Sequence, residues 1–431
     1  MTPAARVAAA IDLLAAIEAA PRKPADAVAN DFFRSRRYIG AGDRRAVSER
    51  TWRVLRARRH LGWWLQRGGA SPTPRLLIAA CSLLEGAPLG QVEGAYSGAR
   101  FAPARLTPDE AAALAPLEHH TLHHPAMEEA VALELPDWLL VPLKARFGEA
   151  LAEELAAMEA EAPLDLRVNL LKASREAAQA ALAEEGIEAT PTLLSPWGLR
   201  VAGRRPVLAG PAFRAGLVEI HDEGSQLVAA LVGARAGMRV VDWCAGAGGK
   251  TLALAMAMGN RGHLAACDVS GPRLDAAVRR LRRAGVHNVE RHLVEPADKW
   301  AKRRAGSFDR VLVDVPCTGT GTWRRNPDAR LRLAPEDLAE LIPKQAAILA
   351  AAARLVAPGG RLVYATCSLL EGENEAQVDA FLAGHPSFAL LPLARAWELP
   401  GPPPGPGPTL WLTPRQHGTD GFFAAVLERA P

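Results

Sequence analysis

At 431 residues, 49% hydrophobic and 23% charged, the chain is too long for one ordinary core and too apolar to be disordered, so two or three folded domains are expected. No apolar run reaches the ~18 to 20 residues of a membrane span, and the acid-containing start MTPAARVAAAIDLLAAIEAA has no cleavage pattern; both exclude a helical membrane protein and point to the cytoplasm. Five scattered cysteines, Cys81, Cys244, Cys267, Cys317 and Cys367, form no C-x-x-C pair, so reduced thiols are expected and neither a disulfide framework nor a metal site is.

Residues 1–130 lack β-branched runs and repeat apolar residues at helical spacing, as in RVAAAIDLLAAIEAA and SERTWRVLRARRHLGWWLQ, which predicts an all-helical domain. The net charge of +4 is unevenly spread there. Between Phe32 and His60 ten arginines face only Asp43 and Glu49, an excess that suits phosphate contacts as well as it suits an ordinary solvated helix face. Residues 131–222 mix signals. The helix ELPDWLLVPLKARFGEALAEELAAMEA, the strand LDLRVNLLK, a second helix SREAAQAALAEEG and short strands around WGLRVAG and AGLVEIHD predict a small α+β module.

Over residues 223–431 the pattern becomes α/β. The apolar strands MRVVDWCAG, GHLAACD, NVERHLV, FDRVLVDVP and GRLVYATCS alternate with helical stretches, which specifies a parallel sheet with binding sites at its carboxyl ends. After the loop ELPGPPPGPGP, TLWLTP and GFFAAVLER are expected to close the sheet as a terminal β-hairpin.

VVDWCAGAGGKT reads as strand, glycine-rich turn and helix start. Small residues at Ala245, Gly246, Ala247, Gly248 and Gly249 let a ligand approach the backbone. A nucleotide P-loop would need glycine where Cys244 stands, and G-x-G-x-x-G is not completed. Asp268, ending the next strand, suits a ribose hydroxyl, so the loop predicts an adenosine-containing ligand.

Asp314 and Cys317 end one strand and Cys367 ends its neighbour, which places two thiols and a carboxylate around one crevice. A lone cysteine is most often a small buried hydrophobe. Two beside an aspartate suit methylation at carbon 5 of a pyrimidine: a thiolate adds to carbon 6, the ring becomes an enamine, and carbon 5 can attack a methyl donor. An acidic group at ring nitrogen 3 stabilises the adduct, and a base then removes the carbon 5 proton. These residues alone leave open which thiol attacks.

In this order and spacing, CAGAGGKT, ACDVS, DVPCTGTGTWRRNPD, YATCS and GTDGFF resemble the RsmB/Sun family of S-adenosylmethionine-dependent RNA (cytosine-5) methyltransferases. RVNLLK and HDEGSQ (Asp222, Ser225, Gln226) match the segment before that family's catalytic core. RYIGAGDRRAV with WRVLR is similar to the NusB-like RNA-binding domain of its bacterial ribosomal-RNA branch. The likeness covers nearly the whole chain and is weakest over residues 60–130. It implies a multi-domain fold: an all-α NusB-like RNA-binding domain over 1–130, a small α+β RNA-binding linker over 131–222, and a Rossmann-like class I methyltransferase domain over 223–431. The resemblance makes Cys367 the nucleophile and Cys317 the thiol that assists proton removal or product release. It places Asp314 at the cytosine edge near the cofactor and Lys250 against the target base. Cys244, Ala245, Gly246, Ala247, Gly248, Gly249, Lys250 and Asp268 would hold S-adenosylmethionine. Arg167, Asn169, Arg324 and Arg325 are the expected contacts to RNA, with small-subunit 16S ribosomal RNA as substrate, its target cytosine unstacked, and the protein a monomer.

Two departures from the family stand out. Ala247 replaces a proline in the loop, and Leu293 occupies the place of an acid beside the adenine, for which Glu295 or a backbone amide would have to substitute. Three other readings compete: the same reaction on transfer RNA, a DNA cytosine methyltransferase attacking through the Pro-Cys cysteine, and a non-catalytic RNA-binding assembly factor.

Overall fold

Thr2 caps the first helix, Pro3–Glu18, by accepting from Ala5 N at 3.2 Å, and Pro3 sits in the first turn, where its missing N–H is no loss. In the computed structural model, which describes residues 1–203, 205–295 and 299–431, two expected long helices are each broken in two. Ala57, outside helical geometry, separates Ala41–Arg56 from Arg58–Arg67. Gly148, at φ 54°, ends Asp137–Phe147 before Leu151–Glu159, a left-handed step that glycine takes without strain.

The chain forms two units: Met1–Glu159 with Trp323–Ala334, and Ala160–Thr322 with Pro335–Pro431. Helices and turns make up the first, around a core that includes Leu13, Leu14, Leu61, Leu65 and Leu77. Its distant segment is built in by specific bonds. Asp328 accepts from Ala25 N at 3.0 Å at the start of helix Ala25–Ser35, and buried Arg330 donates to the Arg56 carbonyl at 3.0 Å. Helices Asp137–Phe147 and Leu151–Glu159 belong to the helical unit, while residues 160–222 fold with the α/β part.

In the second unit, β1 (Leu164–Val168), β2 (Ala189–Pro191), β3 (Gly198–Val201) and β4 (Val218–Ile220) make an antiparallel sheet ordered β2-β3-β1-β4. The larger sheet has β5 (Arg239–Asp242), β6 (His263–Asp268), β7 (Val289–Leu293), β8 (Phe308–Asp314) and β9 (Val356–Thr366) in parallel. β10 (Phe388–Leu391), β11 (Leu410–Leu412) and β12 (Phe422–Arg429) join it antiparallel, and the order is β10-β12-β9-β8-β5-β6-β7. The expected hairpin forms, since β11 pairs with β12, but β12 lies inside the sheet between β9 and β10. Residues 422–427 are all buried, so β12 needs cover on both sides. Chain order reverses between β5 and β8, the place where such sheets open a crevice at their carboxyl ends.

Candidate active site

A cavity of about 610 Å³ opens at that crevice, lined among others by Trp243, Cys244, Asp268, Asp314, Cys317 and Cys367. Gly246 (φ 54°) and Gly248 (φ 82°) turn the β5 loop into helix Gly249–Ala257 through left-handed backbone. Around them the loop is held from outside: Gly246 N donates to Asp268 Oδ2 at 2.7 Å, and Arg280 donates to the Ala247 carbonyl at 2.7 Å. Asp268 keeps acceptor capacity beyond its bonds to Gly246 N and Ser270 N, and it faces the cavity as a ribose ligand must. Asp242, buried at the end of β5, accepts from Thr251 on Oδ2 but has no donor on Oδ1, and burial pushes its carboxyl up to about 6. A carboxylate oxygen without a donor, a wall of Trp243 and Val294, and a glycine turn fit an adenosyl cofactor with a cationic end.

Sequence reasoning missed Arg273, whose guanidinium lies over Gly246, together with Lys344 and Val294; all three line the cavity. Only a topology that folds helix Gly271–Ala284 back over the loop makes Arg273 visible as a site residue. Neither Leu293 nor Glu295 lines the cavity, and the Val294 amide is already given to the Asp268 carbonyl at 2.9 Å. Of the substitutes considered for the adenine-side acid, the Glu295 side chain and the Val294 amide are thus not in place.

At the other end of the cavity the two thiols meet, Cys317 Sγ 3.4 Å from Cys367 Sγ. Lys250 Nζ pairs with Asp314 Oδ2 at 2.7 Å and lies 5.5 Å from the Phe422 ring centre. Burial opposes its charge, but attraction to Asp314 and, less strongly, to Cys367 outweighs burial and raises its pKa. The Cys317 thiol is raised too, which keeps it neutral where the same direction keeps Lys250 charged: its hydrogen bond to Cys367, burial, and the charges of Cys367 and Glu373 all push it well above the ordinary value. The site is thus asymmetric, with a cation on the Cys367 side and an anion on the Cys317 side. Burial, with the nearby carboxylates of Asp314, Asp242 and Asp268, pushes the Cys244 thiol up as well.

Three of the four expected RNA contacts are buried: Arg167 is 3% exposed, Asn169 8% and Arg324 4%. Arg167 donates to Gly249 O at 2.9 Å and to His221 Nδ1 at 2.6 Å; burial and the nearby cations keep that imidazole neutral, so its Nε2–H serves Ser225 Oγ at 2.8 Å. Asn169 donates to the carbonyls of Gly216 and Ala284, both at 2.9 Å. These two residues hold backbone of the α/β unit in place. Arg324, with its carbonyl accepting from Arg56, is part of the helical unit, and Arg325 beside it is half-buried. The motif residues Asp222 and Gln226 are structural as well. Asp222 caps helix Glu223–Leu231 and accepts from Asp420 N at 3.1 Å, while Gln226 bonds Leu166 O, His221 O and Ser195 Oγ.

Comparison with known proteins agrees with this geometry. Residues 229–428 match the family model for the 16S rRNA methyltransferase RsmB/F, and residues 135–208 match the ferredoxin-like domain of RsmF/B-like methyltransferases. The probable ribosomal RNA small subunit methyltransferase B of Synechocystis sp. is 38% identical over 302 residues, covering 68% of this chain and 67% of that protein. The ribosomal RNA small subunit methyltransferase B of Xylella fastidiosa is 38% identical over 300 residues, 68% of each chain. Among solved structures, PH0851 is 27% identical with a TM-score of 0.81, covering 100% of this chain and 99% of its own. A methyltransferase homolog protein from Pyrococcus horikoshii is 29% identical with a TM-score of 0.61, covering 71% of this chain and 100% of its own. With a parallel sheet, a glycine loop at its switch point and relatives of this identity along two thirds of its length, the chain belongs to the RsmB/F family of S-adenosylmethionine-dependent 16S rRNA methyltransferases.

Proposed function

We propose that the protein methylates carbon 5 of a cytosine in 16S ribosomal RNA through a covalent adduct at Cys367. The observation that carries this reading is the thiol pair itself: two Sγ atoms 3.4 Å apart just beyond the carboxyl ends of adjacent strands, in a cavity also lined by Asp314, which pairs with Lys250. S-adenosylmethionine, when bound at the Cys244–Lys250 loop, Asp268 and Asp314, supplies the methyl group. Cys367 as thiolate adds to carbon 6, and the displaced electron pair moves toward ring nitrogen 3. Lys250 offers a donor and Asp314 an acceptor to that edge of the ring, fixed by their own bond at 2.7 Å. Carbon 5 then takes the methyl group and must lose its proton, to water or to Cys317 once that thiol has given up its own, before the Cys367–carbon 6 bond breaks.

The helical unit supplies the RNA-docking face in this reading. Arg34, Arg37 and Arg44 line a second cavity with Asn30 and Phe33, Arg36 lies 3.8 Å over the Phe32 ring, and Tyr38 is 74% exposed. Cations for phosphates next to an exposed ring for a base suit a single-stranded segment.

The cysteines provide the test. With 16S RNA and S-adenosylmethionine, Cys317→Ala should accumulate a protein–RNA adduct that survives denaturing electrophoresis, and Cys367→Ala should form none. The opposite pattern would falsify the assignment, and adducts formed only with transfer RNA would redirect the substrate.

A further inference from the structure

β9 ends at Thr366, and Cys367–Ser368 lead into the short turn Glu371–Glu373. Glu373 is fully buried, where a carboxylate is costly unless donors saturate it. Four do. Its Oε1 accepts from Thr318 N at 2.9 Å and Gln345 Nε2 at 2.8 Å, and its Oε2 accepts from Thr318 Oγ1 at 2.5 Å and from Ser368 Oγ. Thr318 follows Cys317 in the chain and Ser368 follows Cys367. Gln345 also donates to the carbonyl of Pro316, the residue before Cys317, at 3.0 Å. One carboxylate thus holds the loop of the first thiol on both sides and the turn of the second. All four partners are donors rather than cations, so its charge is shared by hydrogen bonds but not neutralised, and it lies against Thr318 N, the peptide nitrogen that follows Cys317.

We infer that Glu373 is a positioning residue of the methyl transfer: its carboxylate sets the distance between the Cys317 and Cys367 loops and keeps the proton of the pair on Cys317, so that attack falls to Cys367. This rests on the assignment of Cys367 as nucleophile made above. No bond to Glu373 forms or breaks in the reaction; its effect is geometric and electrostatic.

Two substitutions separate the two effects. Glu373→Gln keeps the size of the side chain, and the hydroxyls of Thr318 and Ser368 can turn to accept from the new amide, so the loops stay tied while the charge is lost. Glu373→Asp keeps the charge and shortens the reach. Thiol reactivity is read on full-length protein without RNA, by iodoacetamide labelling across a pH series with each cysteine located by mass spectrometry. Only thiolate reacts, so wild-type Cys367 should label about tenfold faster than Cys317 near neutral pH. In Glu373→Gln the midpoint for Cys317 should fall by about one pH unit, narrowing that selectivity about tenfold. In Glu373→Asp selectivity should persist while kcat for RNA methylation falls about tenfold, with KM for S-adenosylmethionine unchanged in both variants. Unchanged selectivity in Glu373→Gln overturns the proposal; if that variant does not fold, wild-type kcat in Glu373→Asp overturns it. Adduct formation by Cys317 instead of Cys367 would show that the nucleophile assignment has failed, a result read with RNA and separate from the labelling.

Discussion

Arg167 serves a backbone carbonyl of the cofactor loop, which changes what its loss should do. Methionine at this position fills similar space without a charge, but leaves Gly249 O and His221 Nδ1 without their donor. Arg167→Met is expected to weaken S-adenosylmethionine binding about tenfold in calorimetry, the equivalent of one hydrogen bond from a charged group, and to leave RNA retention on filters unchanged. Weaker RNA retention with cofactor affinity intact would restore the original reading of this arginine. The burial of such residues leaves no mark in the sequence. A sequence displays the chemistry of Arg167, Asn169 and Arg324 but not their burial, and a guanidinium bonding a carbonyl looks the same in one dimension as one bonding a phosphate. Cys317, Cys367 and Asp314 were legible because strand periodicity puts them at adjacent carboxyl ends. Glu373, in the short turn that follows the second cysteine, gave no such signal, since its role exists only once two loops distant in sequence meet.

Among elements, the contact between the Cys317 loop and the start of β12 depends on two glycines. Gly421 N donates to Gly321 O at 2.8 Å, and a Cβ on Gly321 would sit 2.4 Å from Gly421 O, well inside contact distance. Gly321 N in turn donates to Cys367 O at 2.9 Å, so the loop cannot move without disturbing the thiols. Gly321→Ala should destabilise the α/β unit by about 1 to 3 kcal/mol, the usual cost of overpacking, and lower kcat about tenfold or more while cofactor affinity holds. Differential scanning calorimetry and methyl-transfer kinetics check this; a variant with wild-type kcat would show that the approach of the two chains is not needed. The late GTDGFF stretch thus has a structural account. Strands β5 to β9 follow from their apolar runs and helical separators. The place of β12 inside the sheet does not, because alternation predicts strands but not the order in which antiparallel ones insert. β10, whose sequence FALL has neither alternation nor a β-branched residue, gave no strand signal.

At the scale of the whole molecule, the segment Trp323–Ala334 makes the helical unit discontinuous in sequence. Asp328, 4% exposed, both accepts from Ala25 N at the start of helix Ala25–Ser35 and pairs with Arg332 at 2.9 Å. Asp328→Ala removes a helix-start acceptor and the partner of a cation, for an expected loss of about 1 to 2 kcal/mol in the stability of the helical unit. Limited proteolysis should then cut first within residues 20–60, with the α/β unit still resistant; cleavage appearing first in the α/β unit would refute it. The same discontinuity bears on how the protein is born. A ribosome finishes Glu159 roughly 160 residues before Trp323, so at ~5 to 20 residues per second the first unit waits roughly 8 to 30 s for its last piece. During that interval its socket for Trp323 and Arg330 stands open, and the strand ending in Asp314 must be translated before it can be filled.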